Sequence, residues 1–257
     1  MSSFEPAYIR TFEQGLLKEK IAKAYSLLKP CVLCPRKCSV DRLSGETGTC
    51  KTAKLAWVSS YNPHFGEEEP LVGTHGSGTI FFTHCNLLCI FCQNFDISHH
   101  GNGRQISDDE LAGIMLVLQN QGCHNINFVT PSHVVPQILS AVEIAVQGGL
   151  SIPLVFNTGG YDRITTLKLM DGVFDIYMPD FKFWDSHLSE ITCQADDYPE
   201  VAQKALTEMH RQVGDLQIDD AGIARRGLLI RHLVLPNGLA GTREIMRFIA
   251  QHISPDS

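Results

Sequence analysis

Two groups of cysteines hold the chemistry of this 257-residue chain. The tighter one lies in Thr83-His84-Cys85-Asn86-Leu87-Leu88-Cys89-Ile90-Phe91-Cys92-Gln93-Asn94, with the spacing C-x3-C-x2-C. Thiolates are soft ligands that select iron–sulfur clusters, zinc or copper(I). A cubane [4Fe–4S] cluster has four irons, and in electron-transfer proteins four thiolates cap them. Cys85, Cys89 and Cys92 would cap three irons and leave the fourth open to a small molecule. The same cysteines equally make three quarters of a closed zinc site, completed by Cys123, Cys193 or a histidine such as His84. Spacing alone leaves both readings open.

The second group is Cys31, Cys34, Cys38 and Cys50, spaced C-x2-C-x3-C-x11-C. The first pair forms a knuckle that places two sulfurs on one small centre, and Gly45 and Gly48 let the chain fold back to deliver the last. A zinc knuckle and a second iron–sulfur cluster both fit. A set of reduced core cysteines does not, because Pro35, the glycines and the charged neighbours are poor core material. Cys123 and Cys193 read as ordinary reduced cysteines. Glu67-Glu68-Glu69 reads as a solvated acidic run, and His99-His100 as part of a solvent loop.

These cysteines need a scaffold and a compartment. Nine cysteines without a secretory leader point to metals rather than disulfides. Met1 to Gln14 carries charged and polar residues throughout, with no apolar signal-peptide core, and no apolar run is long enough to span a bilayer, so the expected location is the cytoplasm. A net charge of -7 repels phosphate backbones and argues against nucleic acid as a partner.

The scaffold is written as an alternation. A helix is predicted over residues 15–28, ended by Pro30, and a strand-like piece over 55–58, with turns around Asn62-Pro63 and Gly73. From Thr79 the pattern becomes regular. Strands are predicted over 79–82, 125–129, 152–156, 174–178 and 228–235. Helices are predicted over 108–121, opened by a Ser107–Glu110 capping box, and over 133–146, 163–170, 200–212 and 242–252. Residues 216–224 read as a hairpin around Asp219-Asp220. Five β–α units in a row predict an α/β fold with a parallel sheet wrapped by helices.

In such folds the site gathers where strands end. The polar residues lie there: the Cys85 loop, Thr130-Pro131-Ser132-His133, Asn157-Thr158-Gly159-Gly160-Tyr161, Pro179-Asp180-Phe181-Lys182, and Arg231-His232 with Pro236-Asn237-Gly238. Arg231 and His232 interrupt an otherwise apolar stretch, which favours a ligand pocket over ordinary loop polarity.

Cys85-x3-Cys89-x2-Cys92, with Phe91 before the last cysteine and β–α repeats following, resembles the radical S-adenosylmethionine superfamily. Within it the chain is most similar to the pyruvate formate-lyase-activating-enzyme-like group, in the branch with an N-terminal Cys-x2-Cys-Pro-Arg-x-Cys segment. The supporting stretches are Gly76 to Phe82, Cys89 to Asn94, Asn125 to Pro131, Asp175 to Lys182 and Arg231 to Asn237, and the resemblance runs from about Cys31 to the last residue.

The resemblance implies a partial (β/α)6 TIM-like barrel over residues 76–257, behind a Cys-rich metal-binding segment over 1–75. Ser254-Pro255-Asp256-Ser257 reads as the loop into a sixth strand, so a C-terminally truncated barrel is expected. Cys85, Cys89 and Cys92 would hold a [4Fe–4S] cluster whose open iron chelates S-adenosylmethionine. One electron from reduced flavodoxin or ferredoxin would then split the sulfonium and give a 5′-deoxyadenosyl radical.

Phe91 would lie near the adenine. Asn157, Asp180, Lys182 and Arg231 match positions that hold the ribose and the methionine carboxylate. Thr130 and Ser132 stand where relatives carry a Gly-Gly-Glu-type stretch, and His84 stands where they carry glycine. The implied target is a glycyl-radical protein. The alternatives are a small-molecule or other target and, in a different class, a non-catalytic iron–sulfur or zinc protein.

Overall fold

The computed structural model of the protein describes residues 4–256. Residues 1–3 and 257, which belong to the Met1–Gln14 stretch, to the Ser254–Ser257 loop and to the segment limits given above, lie outside the described residues. The strands are β1 (Ala56–His64), β2 (Ser77–Phe82), β3 (Arg104–Ile106), β4 (Ile126–Val129), β5 (Leu154–Thr158), β6 (Ile176–Pro179), β7 (Gln217–Ile218) and β8 (Ala224–Leu228). They form one sheet in the order β3-β1-β2-β4-β5-β6-β8-β7. β2, β4, β5, β6 and β8 run parallel, while β1, β3 and β7 join antiparallel at the flanks. The two outermost strands do not pair with each other, so this α/β sheet is a partial barrel.

The helices are α1 (Ala7–Glu13), α2 (Leu16–Ser26), α3 (Glu69–Val72), α4 (Phe95–Ser98), α5 (Asp108–Asn120), α6 (Val135–Gln147), α7 (Ile164–Leu169), α8 (Ser186–Cys193), α9 (Tyr198–Val213) and α10 (Thr242–Phe248). The parallel strands are apolar on both faces because both faces are covered. Ile80, Phe82, Phe128, Phe156 and Tyr177 face the helices in the main core, which also takes in Tyr8, Leu17 and Ala24 of α1 and α2. The sequence places a segment boundary at residue 75, yet α1, α2 and β1 share the core and sheet of the remainder.

Several elements differ from the sequence expectation for local reasons. The predicted first helix is preceded by a further one, and Gly15 between them takes φ +73. β1 runs straight through Asn62-Pro63 rather than turning. Proline is tolerated because β3 pairs only with Ala56, Trp57 and Val58, leaving the Pro63 side of β1 open. The Ser107–Glu110 capping box and the hairpin (as β7–β8) form as expected.

The last parallel strand is shifted. Its ladder covers Ala224–Leu228 and not 228–235. Beyond it the chain follows β6 only as far as an isolated bridge between Asp180 and Arg231. Leu233 and Val234 are 55% and 68% exposed, so their apolar character does not mark a buried strand. Arg231 and His232 are therefore loop residues next to the end of β6, not part of a strand.

The inner face of the sheet is filled by α3, between the acidic run and Gly73. Leu71 of α3 is fully buried and packs with Val155, Ile176, Met178 and Ala224. The chain between β1 and β2 thus enters the concave side of the barrel. Truncating this plug leaves a cavity in a site with little freedom to collapse. Leu71→Ala is expected to cost about 2–5 kcal/mol, read as a lower urea midpoint with an unchanged denaturant slope.

Candidate functional site

Because the central strands are parallel, their C-terminal ends share one edge, and the cysteine loop leaves β2 there. Thr83 donates its N–H to the Trp57 carbonyl, at 2.9 Å, and His84 to that of Ile97, at 2.8 Å. His84 has φ +63, a left-handed conformation suited to glycine. Its ring packs edge-on against Trp57, 6.0 Å between centroids, and beside Gly101. His84 thus holds a left-handed turn of the loop and sets a half-buried imidazole beside β1.

Within the loop the Cys85 sulfur accepts the Leu87 N–H at 3.3 Å, and the Cys92 sulfur accepts the Ser98 hydroxyl at 3.2 Å. Burial, followed by the nearby Cys89, pushes the Cys85 thiol up to about 12. Phe91 meets Phe183 edge-on at 5.7 Å. His99 is tied to the loop, since its Nδ1 lies 2.8 Å from the Ser98 hydroxyl and its ring stacks on Phe95 at 4.1 Å.

Cys193, read as an ordinary reduced cysteine, lies in the site. Its sulfur is 3.3 Å from that of Cys89, and its side chain is fully buried at the end of α8. Hydrogen bonding to Cys193 and then burial hold the Cys89 thiol protonated. The loop also leans on the end of α8 through its backbone: Leu88 and Ile90 donate to the carbonyls of Cys193 and Thr192.

Facing the loop along the same edge is a ring of charge. Asp180 receives Lys182 Nζ at 2.6 Å and Arg231 Nε at 3.0 Å. Arg231 also donates to Asn157 Oδ1 at 2.7 Å. Burial alone would raise the Asp180 carboxyl, but Lys182 and Arg231 outweigh it and hold it below its ordinary range. Burial would lower Lys182, and Asp180 reverses that as well. Asn157, Asp180, Lys182 and Arg231 are thus brought together as the sequence reading expects.

Glu67 completes this group and departs from the reading of its acidic run as solvated, which holds for the exposed Glu69. The Glu67 side chain is 8% exposed, with Oε2 3.5 Å from Arg231 and Oε1 3.4 Å from Asn157 Nδ2. Burial raises the Glu67 carboxyl, with Arg231 opposing. Nearby on β4, both polar side-chain atoms of Asn127 are buried without a hydrogen-bond partner.

Thr130 and Ser132 lie at the end of β4. Thr130 adopts φ +63 and donates its N–H to the Asn157 carbonyl. The Ser132 hydroxyl meets that of Thr158 at 3.0 Å, and Thr158 donates to Asp162 at 2.6 Å. Burial raises Asp162 to about 6, partly offset by its bonds from Thr158 and Ser132. The Tyr198 hydroxyl joins two strand-end loops, lying 2.9 Å from the Gly159 and Asp180 carbonyls and accepting the Lys182 N–H. Gly160, at φ +77, is required there: a Cβ would come within 2.3 Å of the Asp180 carbonyl oxygen.

The four N-terminal cysteines also lie close together. Cys31, Cys34, Cys38 and Cys50 line one small cavity together with Arg42 and His133. Gly48 has to be glycine at this spot, because a Cβ would sit 2.6 Å from the Cys38 sulfur. Burial, then Cys50, raises the Cys34 thiol to about 12. Arg42 is fully buried and donates to the carbonyls of Ala53 and His133. Among the described residues, no three His, Cys, Asp or Glu side chains meet on one point as a single metal ion requires.

Both sulfur sets are soft in donor chemistry. Cys85, Cys89 and Cys92 on one loop could hold either a cluster or a single ion. No helix among the described residues is long and apolar enough to cross a membrane.

No family model matches the chain. It is 31% identical over 247 residues to Uncharacterized protein MJ0674 of Methanocaldococcus jannaschii, an alignment covering 93% of this chain and 67% of that protein. The chain belongs to the family of that archaeal protein.

Glu67, Asp162 and Tyr198 are the site residues the sequence reading missed, while Cys193, named there only as a possible fourth zinc ligand, lies beside Cys89. Only Asp162, four residues after Thr158 in a strand-end loop, had a local signal. Its raised carboxyl carries a stability signature. The folded state keeps a proton between about pH 4 and pH 6 that the unfolded chain has released. Stability is therefore lost as pH rises through that window, by about 3 kcal/mol at most. Asp162→Asn should remove this contribution, so its urea midpoint relative to wild type should rise between pH 4 and pH 7.

Proposed function

We propose that this protein is a radical S-adenosylmethionine enzyme. What carries the reading is one juxtaposition: the C-x3-C-x2-C loop and the Asn157–Asp180–Lys182–Arg231 ring share one edge of a parallel sheet. Cys85, Cys89 and Cys92 would hold a [4Fe–4S] cluster. When bound and reduced, that cluster would supply the electron that cleaves the carbon–sulfur bond of the sulfonium.

The chain's own residues do the rest. Arg231 and Lys182 offer cations for a substrate carboxylate, and charge-assisted bonds of this kind are the strong ones. Asp180 orients both cations and is ionised at neutral pH, so it also accepts from a hydroxyl. Asn157 presents an amide beside them. Phe91, backed edge-on by the buried Phe183, offers an apolar ring for a base. The Glu67 plug closes the floor beneath and limits water access. The hydrogen-atom acceptor's target, a glycyl-radical protein or a smaller molecule, is a finer assignment that this fold leaves to the rest of the mouth.

A second reading is favoured by Cys193. A fourth thiol beside the loop suits a closed, non-catalytic metal site. At 3.3 Å the Cys193 and Cys89 sulfurs are spaced to share one ion and not to cap separate irons of a cluster, so the metal content of a Cys193 variant separates the two readings.

Two measurements decide. Anaerobically reconstituted, dithionite-reduced protein should convert S-adenosylmethionine to 5′-deoxyadenosine and methionine, and the triple variant Cys85→Ala/Cys89→Ala/Cys92→Ala should lose both that activity and about four irons. Cys193→Ser should keep the irons and the cleavage; loss of the metal in this variant would establish the closed site instead. Arg231→Gln should raise KM for S-adenosylmethionine by about 10- to 100-fold, the equivalent of one charge-assisted bond.

A further inference from the structure

The two cysteine groups are physically joined, and the joint is Arg36. This residue lies inside the N-terminal group, in Cys34-Pro35-Arg36-Lys37-Cys38. Its guanidinium leaves that turn and grips the other cysteine loop. Nε donates to the carbonyl of Asn86 at 2.8 Å, next in sequence to Cys85. The two terminal nitrogens donate to the carbonyls of Cys193 and Gln194, where α8 ends. The guanidinium also lies over the ring of Tyr161, 5.2 Å from its centroid, and the carbonyl of Tyr161 accepts the Asn86 side chain at 2.7 Å.

None of Arg36's hydrogen-bonded partners is a carboxylate. The cation is spent on carbonyls of two segments that must stay together for the Cys85 loop to keep its shape. The end of a helix is a favourable place for it, since the dipole there is negative. A second brace runs beside it. Arg42, on the same cysteine-lined cavity, holds the carbonyl of His133, and His133 Nε2 meets the carbonyl of Thr83 at 3.0 Å, two residues before Cys85.

We propose that Cys31, Cys34, Cys38 and Cys50 bind a thiophilic metal centre whose occupancy seats Arg36 and so fixes the Cys85–Cys92 loop. Arg36 is then a positioning residue acting between two metal sites. The four thiols line a common cavity but do not yet converge on a point. A metal drawing them inward fixes the turn that bears Arg36. The soft donor set admits zinc or an iron–sulfur centre. The role assigned to the Cys85 loop rests on the function proposed above; the coupling itself does not.

The test is amide hydrogen exchange of residues 84–94, read alongside zinc, iron and sulfide content. The Cys85→Ala/Cys89→Ala/Cys92→Ala protein should retain metal, and whether it is zinc alone or iron with sulfide identifies the N-terminal centre. Cys34→Ser/Cys50→Ser should lose that metal and speed exchange in the 84–94 segment by about tenfold or more, the worth of one or two bonds to a charged donor. Arg36→Gln should keep the N-terminal metal yet speed the same segment, and Arg36→Lys should fall between. Exchange in β5 and β6 serves as the control for global folding.

Unchanged exchange at 84–94 in Arg36→Gln, or in a metal-depleted Cys34→Ser/Cys50→Ser protein, would overturn the coupling. So would a triple variant without any metal. These outcomes are separable from the function proposed above, which stands or falls on 5′-deoxyadenosine formation by the wild type.

Discussion

Asp180 is the residue on which the mouth of this barrel depends. Its backbone makes the last bridge between the end of β6 and the chain beyond β8. Its carboxylate holds Lys182 and Arg231, and its carbonyl receives Tyr198 from α9. An ionised group this close to the core persists only when paired and hydrogen-bonded. Here two cations share it, so each is both neutralised and aimed. Replacing either cation would leave Asp180 under-compensated, which is why the ring behaves as a unit rather than as separate contacts.

The floor of the site is set by a different constraint. A partial barrel exposes its concave face unless something fills it, and here the segment between β1 and β2 does. Leu71 covers Val155, Ile176 and Met178, and Glu67 rises from the same segment to Arg231. Filling a core and completing a charge network are thus tasks of one short stretch.

Much of the scaffold was legible because it is locally encoded. The capping box at Ser107 and the apolar runs of β2, β4, β5 and β6 each act over a few residues, and each formed within two residues of its expected place. Misreadings arose where apolar character had another cause. Leu233 and Val234 extend the apolar run of β8 but lie beyond the end of β6, so no ladder can take them. Pro63 looked like a turn because nothing local reveals that its side of β1 is open. The acidic run at Glu67 looked solvated because its cationic partner is 164 residues away.

What the sequence determined by itself is the inventory: which strands alternate with which helices, and which cysteines and charged residues fall at strand ends. Spacing and periodicity encode those because they act along the chain. Tertiary structure alone decided the pairings. It put Cys193 against Cys89, Glu67 under Arg231, and Arg36 across to Asn86. Each joins residues far apart in sequence, where burial and the need to satisfy buried polar groups, not local propensity, select the partner.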